Sequence, residues 1–334
     1  MPLRQTTKSL LSFLLRIGLS LGLLFFVFSK IDMQNTAEVL GSADLFYIAI
    51  AAVIFVLVNA VTLCRWMIFI KALNLSATLG SVVEHHLYGL FGNLFLPTAI
   101  GGDIIKAVGL CRNSDQKPRV VASILLDRLS GFASMAIVAV TAFLFGRRYI
   151  NDDALIIPIA LMGGFSVVSA AVLLNERIYS FGCRIFDQLP RIKKGLMTMH
   201  YDIALLKEGQ KYKEGIKAVL LSCLSQSVYA CTFYLTARAL HQDLAIIYFL
   251  IFVPIICVAA AFPSIGGLGV REIGAAYLFA KAGMDSGVAV SMSLISFLFM
   301  VMVGTVGGVL YVYRISTGRL QRYAQCSDGK TIDC

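Results

Sequence analysis

Six stretches of this chain, near 10–28, 45–64, 120–145, 154–174, 217–240 and 287–313, run for about 18 residues or more with almost no charged side chain. A hydrocarbon layer of roughly 30 Å is crossed by about 20 helical residues, and a helix satisfies its own backbone polar groups where no water can. Runs of this length fold as membrane-crossing helices. With 58% of residues hydrophobic and only 14% charged, the apolar surplus exceeds what one soluble core can bury. The expected fold is therefore all-α and polytopic.

Two further apolar stretches, 81–110 and 244–283, are interrupted near their middles. The first reads Asn93-Leu-Phe-Leu-Pro97-Thr-Ala-Ile-Gly101-Gly102-Asp103-Ile-Ile-Lys106, and the second Phe262-Pro263-Ser-Ile-Gly266-Gly267-Leu-Gly269-Val-Arg271-Glu272. In each, proline leads to a glycine pair, and a cation follows four positions after the second glycine. Gly101 and Gly266 are 165 positions apart, which makes this an internal repeat. Proline ends one half-helix because it lacks an N–H and blocks the preceding turn, and the glycines admit backbone angles and close approaches closed to other residues. The freed backbone groups must face protein or a hydrated cavity, since exposure to lipid costs several kcal/mol for each group.

Lys and Arg cluster before the first run, in 65–79, 111–119 and 175–216, and after 313, while 31–44 carries Asp32, Glu38 and Asp44. Basic connections stay on the cytoplasmic side, so both termini are expected there, with Arg147 and Arg148 as the exception. Nothing in the first 30 residues resembles a cleavable signal, so the first run is expected to remain as an anchor. On this topology 81–110 enters and leaves by the cytoplasmic face and 244–283 by the outer face. The expected architecture is about six full spans plus two oppositely oriented re-entrant helical hairpins forming an inverted repeat, one transmembrane domain over 1–322 followed by a disordered tail, 323–334.

Each second half-helix begins just after its glycines, so its free N–H groups and positive dipole end face the break, where they stabilise an anion. Lys106 and Arg271 add a full charge one turn in. The expected substrate-binding set is Pro97, Gly101, Gly102, Asp103, Lys106, Asp127, Arg128, Pro263, Gly266, Gly267, Gly269, Arg271 and Glu272. The competing reading is internal neutralisation, with Asp103 paired to Lys106 and Arg271 to Glu272. Ser123, Asp127, Ser130 and Ser134 form one polar stripe at helical spacing, and Ser225, Tyr229, Thr232 and Thr236 form another; such stripes more often bond helix to helix than line a path. Glu84, His85 and His86 lie at the cytoplasmic entrance of the first hairpin and read as solvated interfacial residues, with a proton-linked role as the alternative. Gly18xxxGly22 and Gly304xxxGly308 permit close helix approach but carry little weight alone.

The loop from 175 to 216 is basic, and Ile178, Phe181, Ile185 and Leu189 recur at roughly helical spacing, as in a helix lying on the membrane. Eight scattered cysteines without a CxxC pair read as small core residues, and four histidines form no ligand pattern, so no metal or other cofactor is expected. The formal charge of +10 resides in the connections, which argues against nucleic acid as a partner. No GxxxxGK[ST] loop is present to support ATP-driven pumping.

At Asn93 to Lys106, at Leu126-Asp127-Arg128 and at Phe262 to Glu272, the sequence resembles the lysylphosphatidylglycerol synthase transmembrane family, also called flippase-like domain proteins, and the resemblance covers roughly 10–313. It implies movement of lipids or lipid-linked head groups between leaflets of a bacterial or archaeal cell membrane. The partners it implies are membrane lipids, as an anionic phospholipid or a polyprenyl-phosphate-linked head group, and a separate synthase or glycosyltransferase. The chain ends soon after Arg322, so the soluble aminoacyltransferase domain of bifunctional relatives is not expected, nor is enzymatic activity. The alternatives are a membrane enzyme acting on lipid-linked substrates and a non-transporting partner subunit of a lipid or glycan synthase.

Overall fold

A computed structural model describes residues 38–95, 101–112, 114–148, 153–184, 190–204, 212–261 and 267–316. The described residues are helical throughout, without strands. Five helices are long and apolar enough to cross a membrane: α1 (Leu45–Ala72), α4 (Lys117–Gly146), α5 (Ile156–Leu174), α8 (Tyr212–Ala239) and α11 (Ser286–Ser316). They match five of the six expected spans, and the sixth, 10–28, lies outside the described residues. The protein is a multi-pass helical membrane protein.

The two interrupted stretches each form a pair of short helices, α2 (Leu79–Phe95) with α3 (Gly101–Arg112), and α9 (Ile246–Ala259) with α10 (Val270–Ala280). The residues around Pro97 and Pro263 lie outside the described set, but the flanking contacts show that the chain turns back. A methyl group on Gly109 would meet His85, one on Gly89 would meet Lys106 and one on Gly92 would meet Ile105, an antiparallel register. In the second pair, Phe249 packs on Phe279 at 5.0 Å between ring centroids and Gly274 faces Ile256.

The halves repeat in detail. Shifting the bounds of α1 by 165 gives 210–237, beside the observed Tyr212–Ala239 of α8. Both helices close with the same C-terminal turn. Leu75 N–H donates to the Ile70 carbonyl and Asn74 N–H to that of Lys71, with Asn74 at φ 52°; Gln242 donates to Ala237 and His241 to Arg238, with His241 at φ 58°. This six-to-one closure needs a left-handed residue, which asparagine tolerates well and histidine adopts less often.

Equivalent helices α1 and α8 pack antiparallel. Asp44 N–H bonds the Ala239 carbonyl at one end, and Arg65 reaches Ser222 at the other. Each hairpin leans on the last span of the opposite half, α2 on α11 and α9 on α4. Along α11 the hairpins arrive from opposite ends. Glu84 pairs with Arg314 and Leu94 lies on Gly304, whereas Arg271 bonds Ser293 and covers the Phe297 ring. Leu94 and Arg271, which flank the two breaks, therefore both meet the middle part of one long helix.

The halves differ in what fills them. The second hairpin is apolar: Phe249, Ile251, Phe252, Val253, Ile256 and Phe279 are buried with Phe55, Phe143, Phe233 and Met292 in the main core. The first hairpin is seated by glycines. On α11, methyl groups added at Gly304, Gly307 and Gly308 would strike Leu94, the Leu87 carbonyl and Phe91. The Gly304xxxGly308 pattern, given little weight in the sequence, is the seat of α2.

The basic connection folds as α6 (Glu176–Cys183) and α7 (Pro190–Ala204), packed against one another and on the ends of α4 and α5. Asn175 caps α6 by accepting from Arg177 N–H, and Arg119 of α4 bonds Asp202 of α7 at 2.9 Å. Tyr179 stacks on His200 at 4.5 Å, and burial pushes its phenol up to about 12, so it stays a donor to the Leu196 carbonyl. The expected membrane-facing pattern is present only in part: Ile178 and Phe181 are exposed, while Tyr179 and Cys183 on the same helix face the protein. Ile185 and Leu189 lie outside the described residues.

Candidate functional site

The first break brings charges from three helices together. Gly102 and Asp103 open α3, and the Asn93 carboxamide accepts the Gly102 N–H at 2.9 Å, so a side chain of α2 caps the half-helix. Asp103 in the first turn complements the positive helix end. It also pairs with Arg128 of α4 and stands 3.7 Å from Lys106. Next to Arg128 on α4, Asp127 accepts from Arg65 Nε of α1 at 2.6 Å. Arg65 continues to Ser222 of α8, and Ser222 to Ser130. Asp103, Lys106 and Asp127 are all at most 9% exposed.

Three cations, Arg65, Lys106 and Arg128, stand here against two carboxylates, Asp103 and Asp127. Among the described residues the cluster carries one excess positive charge, with Lys106 buried and Arg128 partly exposed. Lys106 projects over the Trp66 ring, 5.2 Å from its centroid, and among the described residues no acceptor lies within hydrogen-bond reach of its Nζ. Trp66 is itself fixed by a bond from Nε1 to Ser123 Oγ.

The second break is closed on itself. Gly267 and Gly269 adopt φ 79° and 87°, angles strained for any residue with a side chain, and turn the chain into α10. Glu272, fully buried, accepts from Gly269 N–H at 2.6 Å and from Arg271 at 3.2 Å. Arg271 Nε donates to Ser293 Oγ, whose hydroxyl donates in turn to Glu272. One cation meets one carboxylate, and the pair is neutral.

The expected site residues thus fall into two groups. Gly102, Asp103, Lys106, Asp127 and Arg128 share the first cluster; Gly267, Gly269, Arg271 and Glu272 share the second. Gly101 opens α3, and Pro97, Pro263 and Gly266 lie outside the described residues. Both internal ion pairs foreseen as the competing reading are present, and the Gly102 and Gly269 amides are occupied by Asn93 and Glu272. Open hydrogen-bonding capacity therefore sits on Lys106 rather than on those amides.

The repeat offset exposes the asymmetry. At the offset of 165 set by the glycine pairs, Lys106 matches Arg271; at the offset of 167 set by the shared C-terminal turns of α1 and α8, Arg65 and Trp66 match Thr232 and Phe233. The first half places a cation and an indole where the second has a hydroxyl and a phenyl ring.

Arg65, Trp66, His86 and Ser222 were not singled out as site residues by sequence reasoning. The one signal available was this comparison of the two halves. The two serine stripes are buried, yet most of their hydroxyls donate to their own helix, as Ser130 does to the Asp127 carbonyl and Thr236 to that of Thr232. Their bonds between helices are Trp66 to Ser123 and Ser222 to Ser130. Among the described residues no group of three or more His, Cys, Asp or Glu side chains could hold a metal ion. A cavity of about 820 Å³ opens among Ala170, Asn175, Arg177, His200 and Tyr201, and no motif residue lines it.

Comparison with known proteins matches residues 13–308 to the family model described as the lysylphosphatidylglycerol synthase TM region. A Pyrococcus horikoshii protein named UPF0104 membrane protein PH1989 is 23% identical over 325 residues, covering 89% of this chain and 95% of that protein.

Proposed function

Because the chain belongs to the lysylphosphatidylglycerol synthase TM-region family, we propose that it moves lipids or lipid-linked head groups bearing a phosphate between the leaflets of a cell membrane. The observation that carries this reading is the buried excess charge of the first cluster, with Lys106 unfilled beside it. In a bilayer, buried ionisable groups are costly enough that function is their default explanation. The glycine-seated first hairpin and the apolar second hairpin play different parts: the first holds the anionic head group, and the second is the packed counterpart against which it works.

In this reading both hairpins are re-entrant, dipping from opposite faces to the level of the α11 midpoint, which is how opposed broken helices build a transport site. The end bearing α6 and α7 is cytoplasmic, consistent with Lys71, Arg112, Lys117, Arg119, Lys217 and Arg314 around it. Asp103 and Asp127 hold Arg128 and Arg65 in place, so that Lys106 supplies the charge the head group meets. The remaining motif residues, Pro97, Gly101, Pro263 and Gly266, shape the breaks.

Reconstitution into vesicles tests the proposal. Leaflet exchange of labelled phosphatidylglycerol or polyprenyl phosphate is expected with the wild-type protein and is expected to fall at least about tenfold in Lys106→Ala, the loss of one charge-assisted contact. Exchange that is unchanged in Lys106→Ala, at equal folded protein, removes this residue from the mechanism.

A further inference from the structure

His86 is 5% exposed, and among the described residues neither ring nitrogen has a hydrogen-bond partner. A buried polar group in that condition is destabilising unless something fills it. The ring lies 6.4 Å from that of Trp66, on the indole that Lys106 also approaches, and Lys106 and Arg65 are the charged groups that bear on it. Two buried side chains with open hydrogen-bonding capacity thus converge at one aromatic ring, one from each arm of the first hairpin.

We infer that His86, Lys106 and the Trp66 ring form a seat for one singly charged phosphate ester, His86 Nδ1 or Nε2 donating to one free phosphoryl oxygen and Lys106 Nζ to the other. The inference rests on the proposed transport reading and adds to it a binding residue outside both motifs, together with a charge class. The single excess positive charge of the cluster matches one negative charge on the ligand. A phosphatidylglycerol-type diester carries that charge, whereas phosphatidylcholine is neutral overall. Arg65 and Arg128 are already bonded to Asp127 and Asp103, so they set the charge without occupying the seat.

Trp66 is the only tryptophan in the chain, so its emission reports on this place alone. The experiment titrates the purified full chain in detergent with dihexanoylphosphatidylglycerol, dihexanoylphosphatidylcholine or inorganic phosphate, and measures melting temperature alongside. A saturable emission change with phosphatidylglycerol and none with phosphatidylcholine is expected. His86→Leu is expected to weaken the midpoint about tenfold, and His86→Gln, which keeps an N–H donor, by no more than about threefold. His86→Leu is also expected to melt at a higher temperature than wild type without ligand, because it removes an unfilled polar group.

A His86→Leu midpoint equal to wild type overturns the seat. A lower melting temperature or failure to fold in His86→Leu overturns it as well, because the imidazole is then structural. Saturation by inorganic phosphate but not by phosphatidylglycerol leaves the phosphoryl chemistry standing and overturns the lipid as its source. Leaflet exchange with no emission response to any probe overturns the seat and leaves transport intact. The expected titration without leaflet exchange supports the seat and removes the transport reading.

Discussion

Replacing Arg271 with alanine is expected to destroy recovery of folded protein, whereas Lys106→Ala, at the matching position of the repeat, yields folded but inactive protein. The two cations share a motif and differ in their surroundings. Glu272 is fully buried and depends on Arg271 for its counter-charge, so truncating Arg271 strands a carboxylate among Phe279, Met292 and the rest of the apolar core. Breaking a buried pair in this way costs about 3–5 kcal/mol, a large share of the 5–15 kcal/mol that typically separates folded from unfolded states. Lys106 leaves no such orphan, because Asp103 keeps Arg128.

The double variant Arg271→Met, Glu272→Gln is the sharper measurement. It removes both charges while the carboxamide still accepts the Gly269 N–H, and replacing both members of a buried pair is often close to neutral. The double variant should be recovered folded in detergent and melt near wild type, where Arg271→Ala yields little folded protein. If Arg271→Ala melts like wild type, the second motif is not the lock described above.

The second large effect is expected from a single methyl group. In Gly307→Ala the new carbon would lie 2.1 Å from the Leu87 carbonyl oxygen, and in Gly102→Ala 2.2 Å from that of Gly89. Both obstacles are backbone, so no side-chain rotation relieves them and α2 must move bodily. Overpacking of this kind costs about 1–3 kcal/mol or more. The displacement also pulls Glu84 from Arg314 or Asn93 from the Gly102 amide. Both variants are expected to melt several degrees lower and to lose leaflet exchange, because the first hairpin carries Lys106. Gly163→Ala and Gly164→Ala are the controls: their methyl groups meet nothing, and alanine gains about 1 kcal/mol of helix propensity over glycine. Equal stability across all four would show that α2 does not sit on α11 as closely as described.

Much of the molecule was legible because lipid imposes a one-dimensional rule. Any run that crosses must be apolar and helical, so four spans were placed within about five residues of their observed ends and α1 was ended eight residues short, and proline with paired glycines marked where two stretches turn back. The repeat was legible for the same reason, since its punctuation is local in sequence. His86 was misplaced at a solvated entrance because periodicity locates a residue along a helix but not the neighbour laid against it. Gly304 and Gly308 were undervalued on similar grounds: a glycine spacing says that close approach is permitted and nothing about what approaches.

What the sequence determined by itself was a membrane protein of opposed, interrupted helices with a cation after each glycine pair. Only the tertiary structure decided that the two cations are unlike, Arg271 closed off by Glu272 and Ser293 and Lys106 left open beside Trp66 and His86. The physical reason is that a charge is defined energetically by everything within a few ångströms of it. Around Lys106 those groups come from α1, α2, α3 and α4, up to 62 positions apart in the chain where Arg65 meets Asp127, and only folding brings them together.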